Sequence, residues 1–449
     1  MSFHISYEYR IMIIIMIVSF INPFTSSALN LALPDIGRMY SASESQLSWI
    51  IETFLMTSTI CIMPLGALAD RIGKRRVFRM GTIIFMASSY AVCSISSITG
   101  LFILRIIQGI GSASIFATSL AIVSLTFPAQ KRGKAMGLTL AAVYSGLSLG
   151  PFIGGTLNYY FGWKSIFYFI AFFGTAALLL TQAWMKELPI SSHHPSFDGT
   201  GAVLYAVSLA IIMFSLSELL SLSYAPYLLP GGILLFIIFL LRERHQPMPI
   251  IPIHLFTQYR AFSCSTLAAM LNYGATFAIT FLLSFYLQRI LGFTSRDAGM
   301  ILLLQPVLMA VFSPFTGTLS DHISGGWLAS GGMACIAVGL AILSLCIPHS
   351  TLAIILLCLV LIGIGFSLFT APNNTIIMNA VPKEYYGMAS SIVGTVRLIG
   401  QVLSTAIVTL ILSQTTNSAL LLPHIQFAFI IFTILCLIGI VPSLIRNKK

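Results

Sequence analysis

The sequence predicts an all-α polytopic membrane protein with fourteen transmembrane helices, and three observations lead there. First, the 449 residues are 57% hydrophobic and only 8% charged, with a mean hydropathy of +0.96; a soluble domain of this length needs far more charge on its surface. Second, the apolar residues fall into runs of about 20, the length that crosses a bilayer core. The runs occupy 10–31, 47–67, 77–97, 101–124, 134–158, 163–184, 199–219, 226–242, 261–286, 297–318, 328–347, 352–374, 387–411 and 424–445. Third, the cations are sorted. With both termini on the cytoplasmic side, the loops on that side hold 17 Lys and Arg, against 4 outside (Arg38, Lys164, Arg289 and Arg296). Positive charge stays inside, and an odd number of spans would scramble that sorting.

This composition excludes several classes. The net charge of +11 and pI near 9.4 do not indicate nucleic acid, because the cations sit in short loops between apolar runs. No stretch is long enough for a folded soluble domain. The first apolar run continues past Ile21 without a small-residue cleavage site, so no cleavable signal is expected. All seven cysteines lie inside apolar runs and read as small buried hydrophobes. No P-loop, catalytic triad or helical His-Glu-x-x-His is present. Neither a cofactor, a metal nor enzymatic activity is expected.

Taken in order, the loops and spans carry distinct chemistry. Between spans two and three lies Gly66-Ala67-Leu68-Ala69-Asp70-Arg71-Ile72-Gly73-Lys74-Arg75-Arg76. Glycine permits the tight turn, and an aspartate there can accept hydrogen bonds from a helix N-terminus or an arginine. Arg105, about five residues into span four, is costly in lipid unless paired or hydrated; it either faces a cavity or snorkels to the interface. In span five Gly146, Gly150, Gly154 and Gly155 recur on one face and Pro151 frees a carbonyl, the pattern of close helix approach. Trp49, Trp163, Trp184 and Trp327 lie near span ends, as an aromatic belt requires. After span ten, Gly317-Thr318-Leu319-Ser320-Asp321-His322 echoes the first loop without its basic tail. An offset of eight spans between the copies is what two six-helix repeats separated by two extra helices produce.

Several of these stretches together resemble the major facilitator superfamily, in its fourteen-helix drug:proton antiporter branch. The likeness runs through Leu29–Pro34 ending span one, the 66–76 loop, Leu101–Gly111 around Arg105, Gly146–Gly155, Gly162–Phe167, Phe197–Gly201 and Leu255-Phe256. The resemblance implies two six-helix bundles, 1–185 and 261–449, flanking a two-helix insert with its linkers at 186–260. It also implies proton-coupled export of a hydrophobic or amphiphilic small molecule across the plasma (inner) membrane by a single chain. The alternative on the same scaffold is a metabolite or vitamin permease. That alternative gains weight because Thr25 stands where many relatives of this branch carry the span-one aspartate.

The candidate residues follow. Gly66, Asp70, Arg71, Gly73, Arg75, Gly317, Asp321, Gly146, Gly150, Pro151 and Gly154 are expected to gate, with Asp70 bridging helices 2 and 11 in one conformation and releasing them in another. The glycines of span five are expected to seal the two halves. Glu52, the one acid clearly within a span, is expected to pair with Arg105 and titrate; a glutamate at headgroup level is the other reading. Asn30, Gln108, Asn272, Tyr273, Gln305, Asn373, Arg397 and Gln401 are expected to line an aromatic, weakly polar cavity. Each polar residue taken alone is more often a hydrogen bond between helices than a ligand contact.

Overall fold

The computed structural model describes residues 6–30, 32–42, 44–187, 197–218, 222–246, 249–251, 253–346, 351–413 and 418–446. Leu31 of the span-one motif and the terminal Lys448 and Lys449 lie outside them. The protein is helical throughout these residues, with no strand among them. Fourteen helices are long and apolar enough to cross a membrane: α1 Tyr7–Asn30, α2 Trp49–Ile72, α3 Lys74–Ser94, α4 Ile98–Thr126, α5 Ala129–Phe161, α6 Lys164–Trp184, α7 Gly199–Ser217, α8 Ala225–Glu243, α9 Arg260–Ile290, α10 Arg296–His322, α11 Gly325–Cys346, α12 Leu352–Asn379, α13 Lys383–Leu412 and α14 Leu421–Ile445.

The breaks between helices have local causes. Gly73 separates α2 from α3 with φ of 106°, and Gly162 separates α5 from α6 with φ of 77°; side chains with a Cβ rarely adopt such angles. Within spans, Pro23, Pro64, Pro151, Pro314 and Pro372 each remove one ladder bond. The carbonyl freed by Pro151, that of Leu147, accepts from the Ser27 hydroxyl of α1 at 2.8 Å.

Helices α1 to α6 pack on one another, α1 on α5 and α6, α3 on α4 and α6, and α2 on α4. Helices α9 to α14 form the second group, with α11 between α12 and α14. The groups meet where α5 packs on α10 and where α13 packs on α2 and α4. Two apolar cores result, and each borrows from the other group: Ile392 and Val393 of α13 join the first, Leu140 and Val143 of α5 the second. The pair α7 and α8 pack mainly together, with α7 touching α2 and α13. Leu234, Ile237, Ile238 and Leu241 of α8 are exposed. In a chain of spans such a face meets lipid.

Trp163 departs from the aromatic-belt expectation. It is buried, with its ring against Tyr40 and Phe167, so it packs the loop entering α6. Trp327 is 65% exposed, as an interface anchor should be.

Candidate functional site

The first functional feature is a pair of aspartates that tie the two halves together. Asp70, at the end of α2, accepts hydrogen bonds from the backbone N–H groups of Gly387 (2.9 Å) and Met388 (2.8 Å), in the first turns of α13 and not of the expected eleventh helix. Asp321, at the end of α10, accepts from the N–H groups of Gly133 (2.8 Å) and Lys134 (2.9 Å), in the first turns of α5. Each carboxylate satisfies two N–H groups that have no partner within their own helix and sits at the positive end of its dipole. The two latches differ in charge balance. Lys74 places its ammonium 2.7 Å from Asp70 and is only 3% exposed, whereas Asp321 has no ion pair among the described residues. Arg75 pairs with Glu187, 3.0 Å away, so it ties the loop to the end of α6 rather than to α13. For Arg71 the structure places no ion pair among the described residues.

Close backbone approach accompanies both latches. A Cβ on Gly66 would overlap the Ser391 hydroxyl of α13. One on Gly317 would overlap the Gly133 carbonyl oxygen, and one on Gly137 the Ser313 carbonyl oxygen. The span-five stripe behaves otherwise. Gly146, Gly150 and Gly154 pack on Phe20, Ser27 and Ala28 of α1, all within the first group of helices, and Pro151 is half-buried in the same helix. The seal expected of them between halves is formed instead by Gly133 and Gly137 against α10. The stripe lies farther along α5, where α1 is the neighbour.

Arg105 is fully buried. Its Nε donates to the Ile50 carbonyl (2.9 Å), one Nη to Gln108 Oε1 (2.6 Å), and the guanidinium lies 4.3 Å from the Phe54 ring centre. Gln108 passes the chain on by donating to Ser89 Oγ (2.7 Å). The expected Glu52–Arg105 pair is not formed. Glu52 is half-buried on another face of α2 and accepts from Ser217 of α7 at 2.6 Å. A carbonyl, an amide and a ring replace part of the water around Arg105, while its second Nη has no hydrogen-bond partner among the described residues.

The candidate cavity residues separate into three groups. Tyr273 of α9, Tyr144 of α5 and Thr370 of α12 bring their hydroxyls together beside the Arg397 guanidinium of α13. Phe366 stands edge-on to both tyrosines, with ring centres 5.9 and 5.5 Å away. Arg397 is half-buried, lies 5.2 Å from the Phe116 ring centre of α4, and has no ion pair among the described residues. Gln401 follows one turn later, also half-buried. This cluster draws on both groups of helices. Asn272, buried, has neither amide atom hydrogen-bonded among the described residues, and Gln305 leaves its Oε1 unused. Three expected residues lie elsewhere. Gln108 is the interhelical link just described. Asn30 is the exposed last residue of α1, at the end opposite Asp70. Asn373 donates to the Ser265 carbonyl (3.1 Å) and accepts from Arg446, so its amide is used within the second group.

Three functional groups were not expected from the sequence. Lys74 had a signal in its closeness to Asp70 along the chain, but Gly73 breaks the helix between them, so it is the turn and not helical spacing that brings the two together. Tyr144 had none beyond being a hydroxyl in an apolar run. Arg446, read as one more positive-inside charge, is 7% exposed and bonded to Asn373, to Ser265 Oγ (3.0 Å), to Ser443 Oγ (2.9 Å) and to the Gly326 carbonyl (3.3 Å). Burial lowers its pKa to about 10, so it stays charged at neutral pH.

Fourteen spans form two groups of helices, tied to each other by the reciprocal Asp70 and Asp321 contacts and meeting at a polar aromatic cluster. The sequence matches the family model described as Major Facilitator Superfamily over residues 15–260 and 265–449. The chain belongs to this superfamily. It is 30% identical to the riboflavin transporter RibZ of Clostridioides difficile over 400 residues, 89% of this chain and 87% of that one. It is 31% identical to the multidrug resistance protein Stp of Mycobacterium tuberculosis over 406 residues, 89% of this chain and 74% of that one. The human organic anion transporter MFSD10 (TETRAN) shares the fold, with a TM-score of 0.71, 17% identity and coverage of 97% and 99%. This superfamily member is a multi-pass membrane transporter and not an enzyme.

Proposed function

We propose that the protein is a proton-coupled secondary transporter of the plasma membrane that exports a hydrophobic or amphiphilic small molecule by alternating access, acting as a monomer. The observation that carries this reading is the reciprocal pair of latches, Asp70 on α13 and Asp321 on α5. Both lie at the basic end of the molecule, so they hold the passage shut there and must release for it to open. The cluster of Tyr144, Tyr273, Arg397 and Gln401 is the solute site, with Asn272 and Gln305 supplying further unused polar atoms. The gating glycines are Gly66, Gly133, Gly137 and Gly317. Glu52, whose carboxylate accepts from Ser217 of α7, is the residue assigned to proton coupling. The named function of Stp points to export. The test is dye efflux from cells overproducing the protein, with and without an uncoupler. Efflux that collapses with the gradient is expected; efflux indifferent to the uncoupler removes proton coupling. Full proton-driven transport by Glu52→Gln removes Glu52 from the mechanism.

A second reading is a permease for a planar metabolite. It is favoured by the edge-on rings of Tyr144, Phe366 and Tyr273 and by the absence of a carboxylate beside Arg397 among the described residues. Such a site suits a flat, neutral or anionic heteroaromatic solute, and the named substrate of RibZ is one. Uptake of labelled riboflavin into proteoliposomes without dye efflux would select this reading.

A further inference from the structure

The two helix starts that the latches hold are built alike. Pro128 stands five residues before Gly133 at the start of α5, and Pro382 stands five before Gly387 at the start of α13. The two prolines share an extended backbone (φ −62°, ψ 154° and φ −59°, ψ 153°). One 3₁₀ turn follows each, at 129–131 and 383–385, and the chain then enters the α-helix at Arg132 and Tyr386. The helices α5 and α13 are eight spans apart, the offset that also relates Asp70 to Asp321. Arg132 and Tyr386 are therefore equivalent positions of the two halves, and they meet. The Arg132 guanidinium lies 5.6 Å from the Tyr386 ring centre. It also donates to Asn379 Oδ1 at the end of α12 and to the Phe127 carbonyl before its own helix (3.2 Å). Tyr386 is buried and Arg132 half-buried.

We propose that Arg132 is a positioning residue of the gate, coupling the two latches so that release of one loosens the other. Arg132 directly precedes Gly133, whose N–H Asp321 holds, and Tyr386 directly precedes Gly387, whose N–H Asp70 holds. Asp70 reaches only the α13 start and Asp321 only the α5 start; Arg132 joins one held start to the other. A cation is attracted to the face of a ring, and the bond to Asn379 anchors the guanidinium to the second half. The contact therefore lasts only while the two starts keep their spacing. When Asp321 lets go, the α5 start moves, Arg132 leaves Tyr386 and Asn379, and the α13 start loses a contact that holds it under Asp70. Asp70 is the drier latch, neutralised by Lys74, so the coupling lets the looser latch open the tighter one.

Coupling of this kind rests on the latches acting as a gate. Hydrogen exchange reads it without solute or proton gradient, so a negative result here and a negative dye-efflux result are distinguishable. Exchange is followed by mass spectrometry on the full chain in lipid nanodiscs, in peptides spanning 127–137 and 381–391, which contain the four latched N–H groups. Asp321→Ala should speed exchange at 127–137 and also, by about 5-fold or more, at 381–391, the lower end of coupling between distinct sites. With Arg132→Ala added, exchange at 381–391 should return to the value of Arg132→Ala alone, while 127–137 stays fast. Tyr386→Phe keeps the ring and should preserve the spread. Should Arg132→Ala fail to fold, Tyr386→Leu removes the same contact from the other side. Exchange confined to 127–137 in Asp321→Ala overturns the coupling. So does a spread to 381–391 that survives the loss of Arg132 or of the ring, which would assign it to the packing of α5 on α10 and of α13 on α2.

Discussion

Asp70 and Asp321 do the same work on opposite halves: each carboxylate ends one helix and caps the start of a helix in the other half through two backbone N–H groups. The relationship is reciprocal, since α2 reaches α13 and α10 reaches α5. It is also unequal, because only Asp70 is neutralised by a buried lysine. The first latch is a dry ion pair on a helix dipole, and the second is wetter and less constrained.

The inequality predicts different costs. Asp70→Asn keeps one acceptor for two N–H groups and leaves the Lys74 ammonium buried without a counter-charge, which costs about 3–5 kcal/mol. Asp321→Asn loses only charge-assisted hydrogen bonds, about 1.5–3 kcal/mol. Transport in proteoliposomes should fall in both, more in Asp70→Asn, with a matching loss of thermal stability in detergent. Adding Lys74→Met to Asp70→Asn should restore part of the stability, because the orphaned charge is then gone. If the double variant is no more stable than the single one, the buried pair does not explain the difference.

The seam between α5 and α10 depends on the absence of side chains. Gly317→Ala places a Cβ onto the Gly133 carbonyl, and backbone cannot yield as a side-chain tip can. It should cost about 1–3 kcal/mol and favour the state open at the basic end. Gly231→Ala in α8 meets nothing within 4 Å and should be neutral, or stabilising by up to about 1 kcal/mol. Cysteine accessibility at residues 133–137 would report the opening. Equal behaviour of the two alanine variants would contradict the seam.

The start of α7 carries a pH signature outside the spans. Asp198 accepts from the Gly201 N–H at 2.8 Å as an N-cap, and Arg242 at the end of α8 clasps both its oxygens. The Arg242 guanidinium holds the Asp198 carboxyl below the usual carboxylate range. A depressed folded-state pKa means a contribution present above the unfolded value of about 3.9 and lost as pH falls through the lower folded value. Asp198→Asn keeps the cap, since Asn accepts from the Gly201 N–H as well as Asp does, but loses the ion pair with Arg242, and should therefore lower thermal stability by about 1 kcal/mol. The gap to wild type should close below about pH 4. A gap that persists in acid would mean that the side chain's shape, not its charge, anchors the pair of extra helices.

What the sequence made legible, and what it did not, divides along physical lines. Span number followed from apolar length, and the aspartates at 70 and 321 stood out because charge is rare in such a chain. Side-chain direction did not follow. Glu52 and Arg105 are each a few residues inside the outer end of a span, yet one side chain turns toward α7 and the other toward Phe54. Gln108 and Asn373 look the same in sequence as Asn272, and only the packed helices show that the first two are already bonded. The second-half latch was legible as Gly-x-x-x-Asp, but its partners at Gly133 and Lys134, nearly 190 residues away, depended on tertiary packing.

Arg446 illustrates a charge whose role is internal. Its guanidinium joins α14 to Asn373 of α12, Ser265 of α9 and Gly326 at the start of α11. Arg446→Ala leaves those acceptors buried and unsatisfied, which costs about 1–3 kcal/mol for each lost bond before relaxation. Expression and melting temperature should drop, while the KM of the surviving protein should stay near wild type. Asn373→Ala should show the same pattern. A raised KM with unchanged stability would return Asn373 to the solute site.

The opposite pattern is expected at Arg397. It has no carboxylate to leave behind, is only half-buried, and lies beside the hydroxyls of Tyr144 and Tyr273. Removing it with Arg397→Gln should leave the fold intact, because no buried partner loses its counter-charge. Binding of an anionic or carbonyl-bearing solute should weaken, raising KM by about 10-fold for the loss of one charge-assisted bond, with kcat less affected. Tyr273→Phe should raise KM less, since it removes a neutral donor and keeps the ring against Phe366. Flux in proteoliposomes, paired with melting curves of the same preparations, separates the outcomes. A fall in stability that tracks the loss of flux in Arg397→Gln would place this arginine with Arg105 and Arg446 as a structural cation, and leave the cluster between the halves without its charge.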